Sequence, residues 1–276
     1  MKVSVLGLGI IGQAWARNLQ ADGMIVSTWN RTPKDFPGFV ADAGASAADA
    51  DLIILVVADP AAVAQVLAQV TPRLTARHTL VQCSTISAPW THTFARQVTA
   101  TGARFLEAPF TGSKPAAEAR QTVFYVGGDI AVLESARPVL ARLSKAILHI
   151  GPLGSASSLK LAMNMNIAMV MQALSESLTF ARREGIPDDI FFQALGLNVS
   201  RSGVADLKEP LLRKRAFPPQ FSLKHMHKDL GLALADGNGF TLPQVNALKS
   251  VYDRGMDAGF GDEDFSVLIR LLESKT

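Results

Sequence analysis

A chain of 276 residues that is 48% hydrophobic and 18% charged can fill one large or two medium cores and is not disordered. Its net charge of +3 is dispersed apart from Arg213-Lys214-Arg215 and carries little aromatic interleaving, which argues against nucleic-acid binding and suits a small anionic ligand. A single cysteine, Cys83, excludes an internal disulfide framework and fits a reducing, cytoplasmic setting, and no apolar run approaches the ~18 residues of a membrane span.

Lys2-Val3-Ser4-Val5-Leu6 reads as a short buried strand, and Gly7-Leu8-Gly9-Ile10-Ile11-Gly12 then opens a helix through Ala14, Trp15, Ala16 and Leu19 to Gly23. This is G-x-G-x-x-G in the context that gives it meaning. The first glycine allows the tight turn, the second lets a pyrophosphate approach the backbone, and the third lets helix pack closely on strand. The next strand, Met24 to Trp29, ends in Asn30-Arg31-Thr32. An NAD site places a carboxylate there, about 20 residues on, to hold the ribose hydroxyls. Here no carboxylate repels a 2′-phosphate: Arg31 offers a planar fork of donors, Asn30 and Thr32 add neutral hydrogen bonds, and the expected cofactor is NADP(H).

Two further units follow, strand Asp51 to Val57 with a helix after Pro60, and strand Thr79 to Ser84 with a helix from Ala88. The alternation predicts a doubly wound parallel sheet, whose ligands bind at the carboxyl ends of the strands. Val57, Ala58, Asp59, Ser84 and Thr85 are therefore rim positions, with Val57, Ala58 and Thr85 expected on the cofactor. For Ser84 and Thr85, capping of the next helix is equally open. Beyond Arg104 to Glu107 the turn Thr111-Gly112-Ser113-Lys114 supplies hydroxyls and free N–H groups suited to a carboxylate, or is an ordinary polar loop. Strands Thr122 to Gly128 and Ile147 to Ile150 close this half.

Gly151-Pro152-Leu153-Gly154 and the serines after it mark a turn with capping hydroxyls. About 25 residues of helix formers follow to Arg183, a span of roughly 38 Å. Leu159, Ala162, Met163, Ile167, Val170, Met171, Leu174 and Leu178 make this helix apolar around most of its circumference, so part of it should be covered by a second subunit, in a homodimer or homotetramer. Lys160 and Asn164 share one face four residues apart; a lysine snorkelling to solvent is the competing reading. Helices are then expected over Pro187 to Leu197, Ser222 to Asp236, Pro243 to Ala258 and Asp264 to Leu272, with a loop at Phe217-Pro218-Pro219-Gln220-Phe221. The fold class is α/β: a Rossmann-type domain over residues 1–152, then an all-helical domain over 153–276, joined by the long helix.

These motifs together resemble the β-hydroxyacid dehydrogenase family. Gly7 to Gly12 is similar to its cofactor loop, Glu107-Ala108-Pro109-Phe110-Thr111-Gly112 to its substrate loop, Gly151-x-x-Gly154 with Lys160 and Asn164 to its catalytic motif, and Lys228-Asp229-Leu230 to its C-terminal signature. Thr111 to Pro115 and Phe221-Ser222-Leu223-Lys224-His225 most resemble its glyoxylate and succinic semialdehyde reductase branch. Ala156 and Thr111 depart from the usual glycine and serine, Ser87-Ala88-Pro89 replaces the usual continuation, and Ala116 to Gln121 lacks an expected glycine.

The resemblance implies that Lys160 donates the proton in carbonyl reduction and that Asn164 holds it. It places Lys228 near the nicotinamide, and Thr85, Thr111, Gly112, Ser113, Phe221 and Asp229 on a small carboxylate-bearing substrate. Read from the residues alone, Lys228 and Asp229 are helix neighbours facing different ways, Phe221 reads as core, and His225 and His227 as solvated or hydrogen-bonded. An imine reductase on the same architecture, against which Lys160 argues, and a non-catalytic NADP-binding module are the alternatives.

Overall fold

A computed structural model describes residues 1–236 and 239–273. It divides into two compact units, Met1–Leu161 and Ala162–Thr276. The division falls inside the long helix, nine residues beyond the boundary expected from the sequence. Among the described residues no helix is long and apolar enough to cross a membrane.

The first unit alternates strand and helix: β1 (Val3–Leu6), α1 (Ile10–Ala21), β2 (Val26–Trp29), α2 (Ala43–Ala48), β3 (Leu52–Leu55), α3 (Pro60–Val70), β4 (Thr79–Gln82), α4 (Ala88–Thr99) and β5 (Arg104–Glu107). β6 (Phe110–Thr111), α5 (Lys114–Glu118), β7 (Thr122–Gly127), α6 (Ile130–Leu140) and β8 (Ser144–Gly151) complete it. The first five strands are parallel in the order β2-β1-β3-β4-β5. The order reverses on either side of β1, so the Gly7 to Gly12 turn sits at the switch point where such sheets take their ligands.

The expectation of parallel strands holds only to β5. β7 runs antiparallel to β5 and β6, and β8 returns parallel to β7. Between Thr111 and Thr122 the chain has only the short α5, less than the dozen or so residues a parallel crossover needs, so it must turn back.

Both sheet faces are covered, which is why Leu52-Ile53-Ile54-Leu55 of β3 is a continuous apolar run. In β3, Leu52 and Ile54 join one core with Val5, Trp15 and Phe124, while Ile53 and Leu55 join the other with Leu67 and Phe94. Cys83 is fully buried just beyond β4 in the first of these cores, and burial pushes its thiol far above the ordinary range.

The second unit takes the rest of α7 (Ser155–Arg183) with α8 (Asp188–Leu197), α9 (Gly203–Lys214), α10 (Leu223–Ala235), α11 (Pro243–Asp257), a 3₁₀ turn Phe265–Leu268 and α12 (Ile269–Glu273). Its core gathers Leu178, Phe192, Leu212, Met226, Leu230, Tyr252 and Phe265. α9 lies in the stretch to which the sequence assigns no individual helix; Ser202 caps it, accepting from Ala205 N at 3.2 Å. Lys208 of α9 and Asp264 form a wholly buried ion pair, Nζ to Oδ2 2.8 Å.

Candidate active site

The glycine turn has the geometry its spacing predicts. Gly7 has φ +112°, and a Cβ there would lie 2.1 Å from the Val56 carbonyl oxygen; at Gly12 it would lie 1.8 Å from that of Gly7. Gly9 differs, since a Cβ there meets nothing within 4 Å, and as N-cap of α1 it brings no side-chain acceptor to the helix N-terminus. Ile10 is exposed beside it. Open space over a backbone whose N–H groups have no side-chain cap fits a dinucleotide pyrophosphate.

Asn30 Oδ1 accepts from Leu8 N at 3.0 Å and its Nδ2 donates to the Thr32 carbonyl at 2.8 Å, so it locks the glycine turn to the end of β2. Arg31 and Thr32 are exposed, and the Arg31 guanidinium has no ion-pair partner among the described residues.

At the other strand ends, Ser84 and Thr85 do not cap α4, whose N-cap is Ser87. The Ser84 hydroxyl accepts from Val57 N at 2.8 Å and so ties the β3 and β4 ends together, while Thr85 is half-buried beside it. Asp59 caps α3, accepting from Ala62 N at 2.7 Å, and Ala58 is exposed.

The turn after β6 keeps Thr111, Gly112 and Ser113 half-buried, and Lys114 beside it is exposed and pairs within α5 with Glu118 at 3.8 Å. The missing glycine of the following loop is explained by Arg120, which adopts φ +60° itself. Its guanidinium grips Asp22 through two hydrogen bonds of 2.7 and 2.8 Å, an anchor that holds the residue in the left-handed region.

Where α7 begins, the expected serine caps are replaced by a carboxylate from β5. Glu107, fully buried, accepts from Gly154 N (2.7 Å), Ala156 N (3.0 Å) and Ser157 N (3.1 Å), and the Ser157 hydroxyl donates to it as well. Ala156 is buried there without strain, so its departure from glycine costs nothing in backbone conformation. Lys160 follows one turn later, 8% exposed. The snorkelling alternative predicted an exposed head and does not hold.

Within the second unit, Asn164 Nδ2 donates to Asp229 Oδ2 at 2.6 Å, and both residues are 2% exposed. Lys228 Nζ stands 2.8 Å from Asp229 Oδ1, although that oxygen has no aligned hydrogen bond. The sequence reading, in which Lys228 and Asp229 face apart, is thereby corrected: the four-carbon stem of the lysine lets its head curl back over the neighbouring carboxylate. Phe221 is half-buried, edge-on to Phe265 at 6.2 Å and stacked on His225 at 6.0 Å. His225 Nδ1 bonds Ser222 Oγ and His227 Nε2 bonds Asp253.

Known proteins share the sequence pattern and the fold. A family model described as the NAD binding domain of 6-phosphogluconate dehydrogenase matches residues 2–151, and one described as NAD-binding of NADP-dependent 3-hydroxyisobutyrate dehydrogenase matches 154–272. Glyoxylate/succinic semialdehyde reductase 1 of Arabidopsis thaliana is 32% identical, over 99% of each chain. The 2-hydroxy-3-oxopropionate reductase of Escherichia coli is 31% identical over 99% of this chain and 97% of its own. The structure of 3-hydroxyisobutyrate dehydrogenase from Mycobacterium tuberculosis with L-serine superimposes with a TM-score of 0.89 at 26% identity, over 99% of both chains. This chain belongs to the β-hydroxyacid dehydrogenase family, NAD(P)-dependent oxidoreductases that act on CH–OH groups.

Proposed function

We propose that the protein is an NADPH-preferring reductase that converts small aldehyde and 2-oxo carboxylic acids, glyoxylate and succinic semialdehyde among them, to hydroxy acids. The observation that carries this reading is Lys160: a buried ammonium on the turn of α7 before Asn164, in a chain similar end to end to a reductase of those two substrates. When bound, the nicotinamide supplies the hydride. The chain supplies the rest. Lys160 stabilises the charge that develops on the carbonyl oxygen and delivers the proton, a contribution of roughly 10²–10⁴-fold. Asn164, held by Asp229, fixes the face of the helix from which Lys160 acts. Steady-state NADPH oxidation with both acids tests the reading, and failure of both substrates would overturn it.

Two further outcomes follow from the same assay. Arg31 is the donor fork for a 2′-phosphate, so Arg31→Asp should raise KM for NADPH by about 10–10²-fold, the worth of a charge-assisted hydrogen-bond pair. A wild-type enzyme equally efficient with NADH would sink this assignment. The Thr111 and Ser113 hydroxyls with the Gly112 N–H anchor the substrate carboxylate. A plain aldehyde of matched length should therefore show a KM about 10-fold or more above that of succinic semialdehyde. Equal KM values would reassign the anchor.

Exposed Phe180, Ile190, Leu197 and Val199 in the helical unit support a dimeric or tetrameric assembly, which light scattering at micromolar concentration would contradict by finding a monomer.

A further inference from the structure

We infer that Glu107 is a positioning residue for the reaction: one carboxylate at the end of β5 sets the turn of α7 that carries Lys160 against the strand that leads to the acid-binding turn. This rests on the reading of Lys160 as proton donor. The inference starts from backbone accounting. The N–H groups of a first helical turn have no partner within the helix and must find one elsewhere. Two of those of α7, at Ala156 and Ser157, and the N–H of Gly154 just before it go to a single side chain some 50 residues away in sequence, and the Ser157 hydroxyl joins them. Thr91 of α4 bonds that hydroxyl in turn at 2.8 Å.

The space around this carboxylate is prepared for it. Gly127, opposite Glu107 in the β5–β7 pair, could carry no side chain, because a Cβ would lie 2.2 Å from Glu107 Oε1. Gly154 turns at φ +94° to aim its N–H, and a Cβ there would lie 2.9 Å from His92 Nε2.

Glu107 thus occupies the junction of two functional segments. Three residues after it the chain enters β6 and the Thr111-Gly112-Ser113 turn; three residues after Ser157 comes Lys160. With four donors on two oxygens the carboxylate has little freedom to tilt, so the first turn of α7 has little freedom either. The charge matters as well as the shape. The N-terminal end of α7 carries the positive end of its dipole, which is unfavourable beside an ammonium, and a buried carboxylate on that end offsets it. A glutamine would keep the volume and lose both the charge and one acceptor.

The test is Glu107→Gln in the full-length enzyme, with NADPH and glyoxylate as probes. Expected is a fall in kcat of about 10–10²-fold, with the Kd for NADPH and the KM for glyoxylate each within about threefold of wild type. A purely structural carboxylate would instead lower the melting temperature and leave kcat per NADPH-binding molecule unchanged, and that result overturns the inference. Gly127→Ala, which pushes the carboxylate aside without removing its charge, should lower kcat in the same way and serves if Glu107→Gln does not fold; unchanged turnover in folded Gly127→Ala also counts against the inference. The parent reading is separated by the double variant. If Lys160→Ala retains a measurable turnover lowered by roughly 10²–10⁴-fold and Glu107→Gln costs nothing more in that background, both stand. If Lys160→Ala retains full turnover, the proton-donor reading fails, and the inference falls with it. If only Glu107→Gln retains it, the inference alone fails.

Discussion

Lys160→Ala lowers kcat by roughly 10²–10⁴-fold with NADPH and glyoxylate, while NADPH affinity stays within a few-fold, because most of the groups proposed to hold the dinucleotide, Gly7 to Gly12, Asn30 to Thr32, Val57, Ala58 and Thr85, belong to the first unit's strand ends and turns. Lys160→Arg restores little. Its guanidinium keeps the charge, but its pKa is too high to deliver a proton efficiently and its planar head does not fit where a compact ammonium sits. Asn164→Ala causes a milder loss of the same kind, since it frees the face next to Lys160 and leaves Asp229 Oδ2 without its donor at 2.6 Å. The two changes together cost less than their sum, because residues acting through one group are not independent. Turnover preserved in Lys160→Ala protein that still binds NADPH would reduce the lysine to a packing role.

The second large effect is on stability and lies in the helical unit. Asp264→Ala destabilises by about 3–5 kcal/mol, the range for removing one partner of a buried ion pair. The carboxylate accepts from Lys208 Nζ (2.8 Å), Gln220 N (3.1 Å), Phe221 N (3.2 Å), Ser266 N (3.2 Å) and Ser266 Oγ (2.7 Å). All five bonds are lost together, and Lys208 keeps the bond to Gln220 Oε1 at 3.1 Å but no longer faces a carboxylate there. Lys208→Met costs far less, because four donors remain on Asp264 and a methionine fills the space beside Phe265, over whose ring the ammonium sits at 4.7 Å.

The pH dependence carries the sign. Burial lowers the pKa of Lys208 and Asp264 opposes that shift, so without Asp264 the folded-state pKa falls further below the unfolded value. Between those two pKa values the unfolded chain binds the extra proton, and the stability of Asp264→Ala rises with pH towards the ordinary lysine range near 10. Urea midpoints at pH 7 and 9.5 measure both claims. A loss under 1 kcal/mol, or a variant that gains nothing at the higher pH, would show that the pair is not the keystone its burial suggests.

Local and periodic features were legible in the sequence, and contacts between distant residues were not. β3 announced itself because a strand covered on both faces can be apolar at every position, β1, β2 and β4 as short strands between turn signals, and Gly7-x-Gly9-x-x-Gly12 because Gly7 and Gly12 answer close backbone approaches while Gly9 leaves open space at the helix N-terminus. α7 was visible from its length and its freedom from glycine and proline. Glu107 as its cap was not, because the donors lie 47 to 50 residues downstream and the nearby serines offered a closer explanation. Lys208 and Asp264, 56 residues apart, were invisible for the same reason, and a lysine in an unrecognised helix reads as surface. α2 and α6, capped by Asp42 and Asp129, give weak periodic signals, the first as a short run of small residues and the second because Pro138 lies within it. Arg120 shows the reverse error. An expected glycine was missed as a departure, when a tight salt link had taken over its backbone conformation.

The lone thiol gives this protein a built-in clock. Cys83 is the only cysteine in the chain and is sealed in a core of the nucleotide-binding unit, so reagents that attack thiolates have nothing to react with while that unit is closed. Each alkylation event therefore counts one opening of the β-sheet core, with no background from elsewhere in the chain. Bound dinucleotide would slow the count by the factor by which it stabilises the closed form, so a plain labelling time course weighs cofactor binding without observing turnover.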